Sequence, residues 1–268
     1  MRTIRSLMLV AAGGALVSGV AAAQGGRGGG GTPPRNLQVL PKDTPRNQVT
    51  ALMRTYALAL GVRCEHCHVP DPNAAAAPAG GGGRGGGPEL DHSLDDKETK
   101  KIAREMMKMV RDINEKYLPT TGRTIAARNQ VTCETCHHGL PKPRTLRAAL
   151  AEAVEARDAD SAVALYRALR LQYFGSGAYD FSELSLTQAA EEVTRMQQRP
   201  AAIAFLKLNL EFFPQSVNTY VALANQHLAA GDTASAVSVV TRGLEAVPQN
   251  PQLRNLSQRL GRRGGPPN

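Results

Sequence analysis

The chain has 268 residues, a formal charge of +9, few aromatic residues and no tryptophan. A charge this mild gives no argument for nucleic-acid binding; it suits a solvated basic surface or docking on an acidic partner. The length allows two modest domains after a leader.

Residues 1–23 read as a cleaved secretory signal peptide. Arg2 and Arg5 form a basic start, Ser6–Val20 an apolar stretch, and Ala21–Ala23 a small-residue cleavage site. The apolar run is short and broken by glycines, so a retained membrane helix is the weaker reading. No cysteine follows the cleavage site to accept a lipid anchor. The expected location is the periplasm, as a soluble or peripheral protein. Residues 24–35 are rich in glycine and proline and read as a flexible leader.

Residues 36–43 read as a short extended piece that a strand elsewhere could pair. A helix follows, with Thr44 as its N-cap and Pro45 in its first position. Val49, Leu52, Met53, Tyr56 and Leu60 share one apolar face, and Gly61 closes the helix. Then comes Cys64-x-x-Cys67-His68. Residues 71–88 are low-complexity and read as a disordered surface loop. A second helix is expected from about 94 to 117, capped by Ser93. Its apolar stripe is Ile102, Met106, Met109, Val110 and Ile113. A short connection leads to Cys133-x-x-Cys136-His137.

Cys-x-x-Cys-His is the spacing of covalent c-type haem attachment. Two thiols add across the vinyl groups, and the adjacent histidine offers an axial nitrogen to the iron. All four cysteines of the chain fall in the two motifs. A four-cysteine zinc site, a thioredoxin-like redox pair and plain disulfides compete, but none requires a histidine after each second cysteine. The expected cofactors are therefore two covalently bound haems c. His68 and His137 are the proximal ligands, and Cys64, Cys67, Cys133 and Cys136 carry the thioethers.

For the sixth position, methionine spacing alone favours ordinary core packing. Met53 is the candidate in the first helix; Met106, Met107 and Met109 are the candidates in the second. Met107 points about 100° away from the Met106 stripe by helical geometry. His92 is a less favoured bis-histidine ligand. His66 reads as exposed, and His138 points away from the direction of His137. Arg63, Arg104, Arg111 and Arg123 could face propionates, with solvation as the default.

Beyond Pro143 the composition turns to Ala, Leu, Glu and Arg with a 34-residue repeat: Pro214 and Pro248, Ala202 and Ala236, Leu210 and Leu244, Ala190 and Ala224. The copy ending at Pro248 resembles a tetratricopeptide repeat, a two-helix unit that buries its core only by stacking. Residues 183–216 form a weaker copy and 143–174 a degenerate one. Residues 250–260 read as a capping helix and 262–268 as a loose tail. His227 reads as core. This region would either dock a partner protein or buttress the haem domain.

Residues 36–143, with both helices and both motifs, resemble the first half of the cytochrome c subunit of photosynthetic reaction centres. The resemblance implies that Met53 is the sixth ligand of the first haem. It aligns Ala103-Arg104-Glu105-Met106 with the second, favouring Met106. The family's subunit carries four haems, whereas this chain has two motifs. The sequence thus predicts a mainly α protein: a dihaem domain at 36–143, then a helical-repeat domain at 144–261. The expected function is single-electron transfer between redox partner proteins, with peripheral association to a membrane redox complex as a further partner expectation and no enzymatic activity. A dihaem peroxidase and a docking module with structural haems are the alternatives.

Overall fold

The computed structural model describes residues 34–73, 89–121 and 130–263. The signal peptide, most of the leader and of the 71–88 loop, Arg123 and the last five residues lie outside the described residues.

The fold is mostly helical. Helix α1 spans Arg46–Leu60. Thr44 is not its cap: the N-cap is Pro45, and the Thr44 hydroxyl donates to the Pro41 carbonyl at 2.7 Å, closing a turn before the helix. Residues 36–43 form turns and bends rather than a strand. Gly61 does end α1, in the left-handed region at φ 64°. The Val62 and Gly61 amides donate back to Ala57 and Leu58, the paired bonds of a Schellman cap.

The first motif opens with a 3₁₀ turn, Cys64–His66. It leads into a two-residue strand β1 (Val69–Pro70), antiparallel to β2 (Leu90–Asp91). Helix α2 runs Glu98–Asp112 and continues as a π turn, Ile113–Tyr117, and a 3₁₀ turn, Leu118–Thr121. It starts later than expected because Ser93 and Lys100 are used otherwise. Ser93 bonds to the Asp91 carboxylate, through its amide at 2.7 Å and its hydroxyl at 2.6 Å. The Lys100 ammonium takes the carbonyls of His92 and Leu94 and the Asp95 carboxylate, which leaves residues 94–97 non-helical. The second motif is the short helix α3, Cys133–His137, started by a Thr132/Thr135 capping box.

The remaining helices come as hairpins: α4 (Leu146–Ala156) with α5 (Ala159–Tyr173), α6 (Glu183–Arg195) with α7 (Arg199–Phe212), α8 (Val217–Ala229) with α9 (Thr233–Ala246), then α10 (Pro251–Arg263). Each packs on the next in repeat-like fashion. Helices α6, α8 and α10 begin 34 residues apart, as do α7 and α9, so the sequence period is the structural period. Helix α10 extends through Arg263, into the predicted tail. Fully buried Ala162, Ala189, Ala202, Ala224 and Ala236 let helix axes approach, while Phe205, Leu206 and Leu223 fill the space between. The Arg170 guanidinium lies 4.2 Å from the Phe174 ring and 4.3 Å from the Phe212 ring, tying α5 to α7. His227 is buried in α8, as expected.

Burial is distributed very unequally. Among the described residues, only Val49, Ala59 and Leu140 of the buried apolar side chains precede Leu146. The motif region has almost no side-chain core of its own. Meanwhile Ile102, Met106 and Met109 on α2 stay 52%, 38% and 45% exposed.

Candidate haem-attachment sites

The two helix–turn–motif segments are interlocked rather than separate. Helix α1, which precedes the first motif, packs against α3 of the second. The Gly139 amide donates to the Ala59 carbonyl at 2.8 Å. A Cβ on Gly61 would lie 2.1 Å from the Gly139 carbonyl oxygen, so only glycine fits there. Burial, and then the neighbouring Cys133 thiol, raise the Tyr56 hydroxyl above its ordinary pKa, placing Tyr56 beside the second motif.

The N-terminal turn of α2 instead grips the first motif. Thr99 donates to the His66 carbonyl at 2.5 Å, and the Lys97 ammonium to the Glu65 carbonyl. Farther along, Asn114 in the π turn brackets the Val131 peptide: its amide nitrogen donates to the Val131 carbonyl and its oxygen accepts from the Val131 amide, both at 2.8 Å. Helix α2 therefore positions both motifs, one from each end. Neither clasp has a signal in the sequence, because both bond to backbone.

In the second motif, His137 Nδ1 lies 2.7 Å from the Leu140 carbonyl oxygen. A carbonyl only accepts, so Nδ1 carries a proton, and Nε2 is the ring nitrogen not engaged by this bond. Buried Leu140 is held by its own amide bond to the His137 carbonyl, at 2.8 Å. His138 turns away as the left-handed cap of α3, at φ 48°, and is exposed. Cys133 is half-buried and Cys136 exposed.

In the first motif, the β1–β2 pairing carries His92 to His68 across the loop. Their rings meet edge to face with centroids 4.5 Å apart. His68 Nδ1 is buried with no partner among the described residues. Burial first, then the charges of His92, Lys100 and Arg104, hold His68 down to about 4, so the ring is neutral at pH 7. Cys67 is half-buried and its thiol is raised by burial; Cys64 is exposed. Arg104 and Lys100 both pair with Asp95, at 2.8 and 3.0 Å, and Asn36 and Gln38 also donate to that carboxylate. These bonds, Arg104 first, hold Asp95 well below the usual carboxylate range.

Met53 is half-buried on α1, Met106 and Met109 lie on the open face of α2, and Met107 is half-buried on another side. The four thiols stand free, and among the described residues no three His, Cys, Asp or Glu side chains converge as a metal cluster.

The residues present fit covalent haem on three counts. Each motif supplies two thiols and an imidazole. His137 is oriented through its second nitrogen, the usual device for a ligating histidine. Apolar side chains lie open on α2 in a region lacking its own core, where a large flat apolar group can cover them.

A half-open cavity of about 490 Å³ lies between the second motif and the helical hairpins. Cys136 and His137 line one side; Arg144 just before α4, Leu146 and Arg147 at its start, and Tyr179 line others. Sequence reasoning missed these residues by drawing a domain boundary at Pro143.

These features define a mostly α-helical chain with two Cys-x-x-Cys-His motifs and a C-terminal helix bundle of repeat-like contacts. The family described as photosynthetic reaction centre cytochrome C subunit matches residues 76–202. Over that stretch the chain is similar to a cytochrome c-type electron-transfer subunit. The matched stretch contains the second motif but not the first, and it continues through α4–α6 into α7. This shifts the likeness relative to the 36–143 expected from sequence. No curated protein matches the chain. Among the described residues, no helix is long and apolar enough to cross a membrane.

Proposed function

We propose that this chain is an exported dihaem c-type cytochrome that carries single electrons between redox partner proteins. The observation that carries the reading is His137 in a second Cys-x-x-Cys-His motif, its Nδ1–H held by the Leu140 carbonyl and its Nε2 left to bind iron. Haem iron supplies one-electron chemistry, cycling between ferric and ferrous states. The chain supplies the rest. Cys64 and Cys67, and Cys133 and Cys136, each add S–H across a vinyl double bond, with no atom lost. His68 and His137 would ligate the irons, and Met53 and Met106 would offer the further ligands of the first and second haem.

A second reading for the first site rests on the His68–His92 contact: His92, carried there by β2, takes the sixth position in place of Met53. The helical hairpins are tetratricopeptide-like repeats that buttress the haem region and present a surface to partners; their 34-residue register supports this. The signal peptide and periplasmic location complete the proposal, since c-type haems are attached outside the cytoplasm.

The test is expression with a haem-attachment system, followed by intact mass and a redox titration followed by absorbance. Two covalent haems and low-spin spectra with reversible one-electron steps are expected. A colourless, zinc-loaded protein overturns the reading, and a high-spin haem in the untreated protein favours a peroxidase.

A further inference from the structure

We propose that the helical region completes the second haem site, with Arg147, aided by Arg144, receiving haem propionate carboxylates in the cavity beneath α3. This rests on the dihaem reading above.

The cavity joins two parts of the chain that the sequence separates. One side carries Cys136 and His137, so a group tethered there reaches it directly. The other carries apolar Leu146 and the two arginines. Haem has this same division: an apolar macrocycle with two carboxylates on one edge.

The two arginines differ in availability. Arg144 is already bonded to Glu152. Among the described residues Arg147 has only Glu192, at 3.9 Å, and Glu192 is itself bonded by Arg195. Its guanidinium fork is therefore open to a carboxylate, and the planar fork matches carboxylate geometry bidentately. The similarity to the cytochrome subunit runs unbroken from the second motif through α4 and α6, the helices that line this cavity.

A cation beside the haem edge favours the reduced state, whose iron carries one less positive charge. Removing it shifts the reduction equilibrium toward ferric. About a tenfold shift, 59 mV for a one-electron couple, is the scale expected for one partly buried charge.

The experiment uses the full haem-loaded chain. Intact mass first establishes two covalent haems; their absence overturns the dihaem reading itself. Spectroelectrochemical titration then compares wild type with Arg147→Gln, Arg144→Gln/Arg147→Gln, and Arg167→Gln. Arg167 pairs with Glu211 and does not line this cavity, so its variant controls for charge loss alone. Arg147→Gln should lower one midpoint and leave the other, the double variant should lower it further, and Arg167→Gln should be silent. Arg147→Lys, which keeps the charge, should restore most of the shift and covers the case of a poorly folded glutamine variant. In a Cys133→Ala/Cys136→Ala background, which keeps only the first haem, Arg147→Gln should have no effect. Unchanged midpoints in the double arginine variant, with two haems attached, overturn the proposal and leave the cytochrome reading standing. An equal response in the single-haem background overturns it as well.

Discussion

Gly61→Ala should be far more damaging than Gly139→Ala, although both glycines sit at positive φ in one contact. At Gly61, φ 64°, alanine meets the left-handed penalty of about 1–2 kcal/mol. Its Cβ would also lie 2.1 Å from the Gly139 carbonyl oxygen and 2.9 Å from its carbon, backbone atoms that cannot rotate aside. Relief of such overpacking costs about 1–3 kcal/mol. Moving the two segments apart also strains the 2.8 Å Gly139-to-Ala59 hydrogen bond, a further ~1 kcal/mol. The sum is about 3–6 kcal/mol. At Gly139, φ 82°, an added Cβ meets nothing within 4 Å, so only the conformational penalty of about 1–2 kcal/mol applies. Native-state hydrogen exchange at the Gly139 amide reads this contact directly. Gly61→Ala should cut its protection by at least about a hundredfold, at 1.4 kcal/mol per tenfold. Equal loss of protection in the two variants would refute the close approach of α1 to the second motif.

The remaining predictions concern ligands, clasps and charge. Met106→Ala should weaken the low-spin signature of one haem and lower its potential, read by absorbance and titration. Met53→Ala and His92→Ala compete for the first haem: the variant that converts it to high spin identifies its sixth ligand, and low-spin spectra in both would exclude the two assignments. Asn114→Ala leaves the Val131 amide and carbonyl without their partner and should cost about 1–3 kcal/mol, seen in denaturant unfolding followed at the second haem. Asp95 is held below its ordinary 3.8. Its unfolded form therefore binds protons first, so its stabilisation is complete above about pH 4 and is lost as pH falls further. Urea titrations at pH 6 and pH 3 should show that loss in wild type and a smaller one in Asp95→Asn.

Local chemistry was legible where it depends on residues near in sequence. The two motifs, the Gly61 cap and the helical hairpins with their 34-residue register all stand where the chain pattern puts them. Capping was less legible. Ser93 and Thr44 are good cap residues by type, yet each is taken by a nearer acceptor, Asp91 and Pro41. The Lys100 ammonium is buried on two carbonyls and a carboxylate, which shortens α2.

The sequence by itself determined the chemistry on offer: four cysteines and two histidines in haem-attachment order, apolar helix faces, and a helical array. These follow from spacing along a chain whose local periods are set by backbone geometry. Tertiary structure alone decided the neighbours. It set α1 on the second motif, clasped both motifs to α2, brought His92 to His68, and put Arg147 in one cavity with Cys136 and His137. Those contacts join residues far apart in sequence through backbone carbonyls, glycine gaps and shared cavity walls. Such partners depend on how whole elements pack, and no residue pattern along the chain encodes them.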